Sequence, residues 1–416
     1  MARLSDFADI IMGQSPSGVR CYSVEKGLPL LNGPTEFRSN HPLPAQWTDD
    51  PKRIACAGDL LFCVRGSTTG RMNWADQDYA IGRGLAAIRH RSGSIFQAWI
   101  RGVIEIRLPD LLISATGSTF PNVSKDQLYS LDVPDHSLNE QREIAAILGV
   151  LDEKIEVNRK ASTTLEEMAR ALYRSWFVDF DPVWAKLEGR RPAHMNAATA
   201  ALFSDSFNDT GLPLLWRDGV LADLIEFNPK ERLAKGASAP YFDMKALPTS
   251  GMTADAPILR EFASGTKFRA MDTLLARITP CLENGKTAMI DNLGEHDVAW
   301  GSTEFIVMRA KEGTPASLPY CVARDQAFRK EAIATMTGSS GRQRADSERI
   351  SGMAAAIPDP AILTAFGDAT MPMIFKIHQF GRESRSLASL RDTLLPRLMS
   401  GELRVGEARE LVDEVA

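Results

Sequence analysis

Polar, glycine-rich loops bearing arginines occur at matching places in two halves of this 416-residue chain. In the first half, Arg65-Gly66-Ser67-Thr68-Thr69-Gly70-Arg71 follows an apolar run, and Arg83 lies between Gly82 and Gly84. Thr116-Gly117-Ser118-Thr119-Phe120-Pro121-Asn122 forms another loop there. In the second half, Arg277-Ile278-Thr279-Pro280-Cys281-Leu282-Glu283-Asn284-Gly285-Lys286 takes the first place and Gly338-Ser339-Ser340-Gly341-Arg342-Gln343-Arg344 the other. Arginine bonds guanine through two N–H groups, asparagine and glutamine bond adenine, and hydroxyls or backbone amides seat phosphates. The side chains suited to such contacts are Arg65, Ser67, Thr68, Arg71, Arg83 and Asn122 in one half, and Arg277, Asn284, Lys286, Arg342, Gln343 and Arg344 in the other. Any one of these arginines can equally be a solvated turn residue in a surface pair. As sets they favour the reading of DNA in a groove, because the loops recur.

Constellations that make or break bonds are missing. Gly285-Lys286-Thr287 has the tail of a phosphate-binding loop, but Pro280 stands where its first glycine belongs. Asp181-Pro182-Val183-Trp184 and Asn228-Pro229-Lys230 approach the Asn/Asp-Pro-Pro-Tyr/Phe stretch of adenine methyltransferases and fail at the second proline. The six histidines (His41, His90, His136, His194, His296, His378) never pair at metal spacing and read as surface or structural residues. Glu226 and Glu231 beside Lys230 are the nearest approach to a nuclease's acidic cluster, a coincidence easily reached with 24% charged residues. Five widely spaced cysteines suit neither a disulfide framework nor a zinc site. The sequence therefore assigns no catalytic residue and no metal ligand.

The loops must be held by something, and the chain repeats itself to do so. Ala8-Asp9-Ile10-Ile11 echoes Ala222-Asp223-Leu224-Ile225, and Gly58-Asp59-Leu60-Leu61-Phe62 echoes Met271-Asp272-Thr273-Leu274-Leu275. Val133-Pro134-Asp135 echoes Ile357-Pro358-Asp359. A spacing this long marks a duplicated domain rather than a solenoid. After each copy comes a helix signal. Ser137-Leu138-Asn139-Glu140 fits a capping box. An apolar seam with four-three spacing follows at Ile144, Leu148, Leu151, Ile155, Asn158, Ser162, Leu165, Ala169, Leu172 and Trp176. The same register runs through Phe366, Thr370, Met373, Ile377, Phe380, Ser384, Leu387, Arg391, Leu394 and Leu398, with Asp359 as cap and Pro360 in the first turn. Each helix should span about 40 residues, roughly 60 Å at 1.5 Å per residue. Neither buries its seam alone, so the expectation is an intramolecular coiled coil, over separate packing on each domain or dimerisation. Pro396 is expected to kink or end the second helix near Leu394-Leu395, with Gly401 as its stop.

The expected fold class is α+β: two α/β recognition domains, 1–135 and 211–358, separated by two long antiparallel helices, 136–180 and 359–404, in a pseudo-twofold repeat. Residues 181–210 read as a connector of mixed order, and 405–416 as an acidic tail, helical or frayed. A net charge of −5 weighs mildly against nucleic-acid binding. The domains themselves are near neutral, with 14 basic and 14 acidic residues over 1–135 and 18 against 19 over 211–360, so each can still carry a basic face. No apolar run reaches membrane-span length and the opening residues lack a signal-peptide pattern, which makes the cytoplasm the expected location.

Several strings resemble the specificity subunits of type I restriction-modification systems. They are Ile11-Met12-Gly13-Gln14-Ser15-Pro16, Gly58-Asp59-Leu60-Leu61-Phe62-Cys63-Val64-Arg65-Gly66, and Val133-Pro134 leading into Asn139-Glu140-Gln141-Arg142-Glu143-Ile144. In the second half they are the 274–286 stretch and Leu394-Leu395-Pro396-Arg397-Leu398-Met399-Ser400-Gly401-Glu402-Leu403. The resemblance implies two target-recognition domains held apart by an antiparallel coiled coil, reading a bipartite, asymmetric double-stranded DNA target across an unread spacer. It implies that catalysis belongs to partners: two modification subunits using S-adenosylmethionine, and restriction subunits using ATP and Mg, with no cofactor on this chain. The family's usual lead-in segment has no match at the start, so the first strand is expected to be short or completed elsewhere. Base-contacting residues differ between members, so the site residues above rest on loop position and side-chain chemistry. Two other readings are a coiled-coil scaffold that reads no DNA and an autonomous nuclease built on Glu226 or Glu231.

Overall fold

The computed structural model describes residues 2–38, 40–115, 121–291, 293–339 and 341–413. The expected loop residues 116–120, Ser340 and Glu414 lie outside them. The chain forms two compact units, Met1–Val157 with Ser384–Ala416, and Asn158–Glu383, so the division falls inside both long helices.

The first unit is built on an antiparallel four-stranded sheet in the order Ala8–Met12, Leu85–His90, Leu60–Cys63, Met72–Trp74. Side chains alternate across a sheet, and here both faces are covered. Ile10, Leu60, Phe62 and Ile88 face a core shared with the helix Gln97–Ser114. Leu61, Cys63, Leu85 and Ala87 face a second core, with Leu31, Tyr79 and Ile81 of a five-stranded sheet. Burial on both sides explains why Leu60-Leu61-Phe62-Cys63-Val64 is apolar without a break. Ala2–Arg3 is a two-residue strand paired with Asp132–Val133.

The second unit repeats the plan. Its antiparallel sheet runs Ile225–Phe227, Phe305–Ala310, Thr273–Ala276, Thr287–Met289, the same order with the same pairings. The second sheet again contains one parallel pair, Tyr241 with Trp300, where the first unit has Leu30 with Ala80. The expected connector carries the helices Asp181–Leu187 and Ala197–Ala201, and Val183 and Phe203 are buried in the unit's core with Trp176 and Trp216.

Both long helices form where the caps and heptads place them, Leu138–Tyr173 and Pro360–Ser400, the first continuing into a π turn over Arg174–Val178. The Glu140 carboxylate accepts from the Ser137 N–H at 2.8 Å, and the Ser137 hydroxyl accepts from the Glu140 N–H at 3.3 Å. Asp359 Oδ1 caps Ala361 N–H at 2.8 Å. In the first unit Ile144, Leu148 and Leu151 share a core with Leu387, Leu394 and Leu398. In the second unit Leu165 packs on the cluster holding Ile377, and eleven residues on, Trp176 meets Phe366 edge to face at 5.9 Å. One number rises as the other falls, so the segments are antiparallel. Leu172 and Met373 lie half-buried against the same core as Phe366, and Ile155 against the first unit's core. Phe380 is also half-buried.

Pro396 does not end the second helix, which continues to Ser400, where Gly401 adopts a φ of 75°. Burial of Leu394, Leu395, Leu398 and Met399 around the proline outweighs the roughly 3 kcal/mol that an interior proline costs. Residues 405–413 form a helix, Val405–Asp413, held by buried Ala408 and Val412. Among the described residues no helix is long and apolar enough to cross a membrane.

Candidate nucleic-acid interface

In the first unit the strand Leu60–Cys63 ends at Val64, whose N–H donates to Gly84 O at 2.9 Å and whose carbonyl accepts from Val123 N–H at 2.8 Å. Those two bonds bring the loops holding Arg65, Arg83 and Asn122 to one end of the sheet, with Arg65 and Asn122 bridged across their backbones. The loop is closed by Thr69, whose hydroxyl reaches both Gly66 O at 2.8 Å and Pro121 O at 2.9 Å. Gly66 and Gly70, both at φ 93°, make the turn at each end. Gln14 and Ser15 join them: Gln14 N–H donates to Ile81 O at 2.9 Å, and Ser15 Oγ accepts from Arg83 N–H at 3.3 Å. Gly84 is needed there, since a Cβ would sit 2.6 Å from Asn32 O. Arg65, Ser67, Arg71, Arg83 and Asn122 are exposed. Thr68 is half-buried beside Cys63 Sγ. Arg71 touches Pro34 O at 3.4 Å. Among the described residues Arg65, Arg71 and Arg83 form no ion pair.

The second unit has the same junction with other side chains. Arg277 N–H donates to Glu304 O at 2.9 Å, and Arg277 O accepts from Ala345 N–H at 2.8 Å. Arg277 therefore stands in the place of Val64, not Arg65, and Ile278, bridged to Arg344, stands in the place of Arg65. Arg344 is committed: its guanidinium holds Glu304 at 2.6 Å. Lys286 Nζ is also committed, donating to Met244 O at 2.7 Å. Asn284 and Arg342 are exposed, and Gln343 is half-buried with its carbonyl accepting from Thr279 N–H at 3.0 Å. Arg277 lines an open cleft of about 490 Å³ with Asn228, Lys230, Lys267 and Thr303, and its buried Nε has no hydrogen-bond partner among the described residues.

At the opposite end of the same two strands in each unit lies an ion pair that sequence reading missed. Asp59 takes a two-toothed grip from Arg89 at 2.6 and 2.8 Å, and its Oδ2 also accepts from Cys56 N–H. Asp272, at the repeat position, takes the same grip from Arg309 at 2.7 and 2.6 Å and accepts from Arg269 N–H. Gly58 and Met271 precede them at φ 88° and 69°. The echo of Gly58-Asp59 by Met271-Asp272 was the available signal. The distant arginines gave none. Glu231 joins the second pair, bonded by Arg309 and Arg269. Burial pushes its carboxyl up, but those two guanidiniums outweigh it and hold it below the ordinary range. A carboxylate so engaged is a structural brace, which removes it from a nuclease cluster; Glu226 is exposed on the edge strand Ile225–Phe227. Burial likewise lowers the pKa of His90, whose Nε2 meets Gln141 Oε1 at 3.1 Å, a structural role.

Residues 1–167 match the family model of the type I restriction modification DNA specificity domain. The chain is 31% identical over 163 residues to the putative type I restriction enzyme MjaX specificity subunit of Methanocaldococcus jannaschii, covering 39% of this chain and 38% of that protein. It is 25% identical over 298 residues to the type I restriction enzyme MjaIX specificity subunit of the same organism, covering 70% and 65%. The matched stretches thus span less than two thirds of either relative. A solved S subunit of a type I restriction-modification system from M. genitalium shares the fold, with a TM-score of 0.55, 16% identity and 95% of each chain covered. The resemblance read from the sequence motifs is borne out.

Proposed function

We propose, because residues 1–167 match the family model of the type I restriction modification DNA specificity domain, that the chain is the specificity subunit of a type I restriction-modification complex. It binds double-stranded DNA at a bipartite, asymmetric target, each recognition unit reading one half-site. The observation that carries this reading is the duplicated sheet end, where two copies of one backbone junction present different side chains: Arg65, Arg83 and Asn122 in one, Ile278, Thr303 and Arg344 in the other. Equal frames with unequal lettering suit two unequal half-sites.

Methyl transfer to adenine N6 and DNA cleavage belong to partners in this account. Two modification subunits carry S-adenosylmethionine, and restriction subunits carry ATP and Mg. The near-neutral recognition domains are then supplemented by positive surface on the modification subunits, which share the phosphate contacts. The test is an exchange of residues 1–135 for the corresponding domain of another family member, in a chain co-expressed with a modification subunit. One half-site of the methylated sequence should change and the other should stay. Change in both, or in neither, contradicts the assignment of one half-site to each domain.

A further inference from the structure

The second unit contains a buried arginine in none of the loop sets. Arg324 ends the helix Ser317–Arg324 and is 7% exposed. All five of its N–H donors are used. Nη1 donates to Thr249 O at 3.1 Å and Gly285 O at 2.9 Å. Nη2 donates to Thr287 O at 2.8 Å and to Gly251 O. Nε donates to the Tyr320 hydroxyl at 3.0 Å. That hydroxyl in turn donates to Glu166 Oε1 at 2.7 Å, on the first long helix. Tyr320 is fully buried and Glu166 is 6% exposed. Arg170, one helical turn on, donates to the Arg324 carbonyl at 3.3 Å.

A buried guanidinium is costly unless its charge is answered and its donors are filled. Glu166, 3.8 Å from Arg324 Nε, answers the charge. The donors are filled by backbone carbonyls of two segments, and one of them, Gly285 to Thr287, carries Lys286 and follows Asn284. The loop set is therefore pinned from behind to the long helix through three side chains. In the first unit the repeat position of Arg324 is held by Ile104, fully buried in apolar surroundings. There the loop is backed by Leu108, whose Cδ1 lies 2.8 Å from where a Cβ on Gly70 would sit.

We infer that Arg324, acting through Tyr320 and Glu166, is a positioning residue for recognition of the second half-site. The inference rests on the specificity-subunit reading above. It touches no DNA; it fixes where Asn284 and its neighbours stand, and base readout is sensitive to such placement.

The test uses the full chain co-expressed with a modification subunit, measuring by single-molecule sequencing the ratio of methylation at the intact motif to methylation at motifs with one mismatch in either half-site. Arg324→Lys keeps the charge but has three donors for four carbonyls, and should lower discrimination at the second half-site by about tenfold, out of the roughly five- to hundredfold that one mismatch costs. Discrimination at the first half-site should not change. Tyr320→Phe conserves volume, cuts the link to Glu166, and should give a smaller loss confined to the same half-site. Unaltered discrimination in both variants overturns the inference, as does a loss of total methylation with both half-site ratios intact, which is the signature of a merely structural role. If the wild-type chain directs no bipartite methylation, the specificity-subunit reading itself fails, and that outcome is separate because it appears before any variant is made.

Discussion

At one matched place where the globular part of each unit meets the long helices, the first unit uses charge and the second uses apolar packing, although elsewhere the second unit has ion pairs of its own, such as Arg174 with Asp325 at 2.8 Å. Asp152 on the first long helix lies between Arg101 of the domain, at 3.3 Å, and Arg391 of the second long helix, at 2.7 Å. The repeat places Cys321, Ile374 and Ala169 at the corresponding positions of the second unit, all buried. Cys321 Sγ there lies 3.8 Å from Ala169 O. The allocation reverses behind the loops, where the first unit is backed by Ile104 and Leu108 and the second by a guanidinium. One backbone plan thus accepts either chemistry at a given place, provided that volume is filled and polar groups are paired. Two halves can in this way carry different surfaces while keeping one fold.

Breaking the charged junction should give the largest effect. Asp152→Ala removes the carboxylate that Arg101 and Arg391 share, leaving each, about a fifth exposed, with one remaining partner, Glu105 and Asp392 respectively, and should destabilise the chain by about 2–3 kcal/mol in urea unfolding. The sharper experiment copies the second unit onto the first: Arg101→Cys with Asp152→Ile and Arg391→Ala should cost no more than about 1–2 kcal/mol. A triple variant as unstable as Asp152→Ala would show that the two chemistries are not interchangeable.

Next come the exposed loop residues, where the comparison predicts function without stability. Arg65→Ala should weaken discrimination at one half-site by about 1–3 kcal/mol and Arg342→Ala at the other, each changing stability by under about 0.5 kcal/mol. Binding measured on DNA mismatched in one half-site at a time checks both. A variant that weakened both half-sites equally would count against separate reading.

Smaller still are the helix caps, where the two units use different residues for one task. Ser137→Ala and Asp359→Ala should each cost about 1 kcal/mol. The last comparison is one of pH. Glu231 has a lowered pKa and no counterpart in the Asp59–Arg89 pair. A carboxyl with a lowered folded-state pKa stabilises the fold above its unfolded value, about 4.3, and loses that contribution as pH falls through the folded one. Glu231→Gln should therefore flatten the fall in stability below pH 4.3, measured by thermal melting across an acid series.

What was legible in the sequence was local or repeated. Heptad spacing and the Ser137 and Asp359 caps depend on neighbours within one or two turns, and the two helices appear where those signals stand. The repeat was legible because Gly58-Asp59 and Met271-Asp272 lie at the same turn with the same carboxylate grip. The register of the loops was legible as well: aligning Asp59 with Asp272 sets Arg277, five residues on, opposite Val64, and its hydrogen bonds to Glu304 and Ala345 agree, although its likeness in type to Arg65 suggests the other register. Arg324 was not legible, since nothing in its neighbours separates an arginine filled by five acceptors from one in water. Pro396 does not end its helix, because its local cost is real but the packing around it is larger.

The central claim is that this chain chooses the DNA sequence on which a modification subunit acts. The most direct measurement is to express it with a type I modification subunit and map N6-methyladenine across the host genome by single-molecule sequencing. The account requires a bipartite, asymmetric methylated motif that vanishes when this chain is deleted. Methylation unchanged by the deletion, in cells where the chain and the modification subunit form a stable complex, would contradict it.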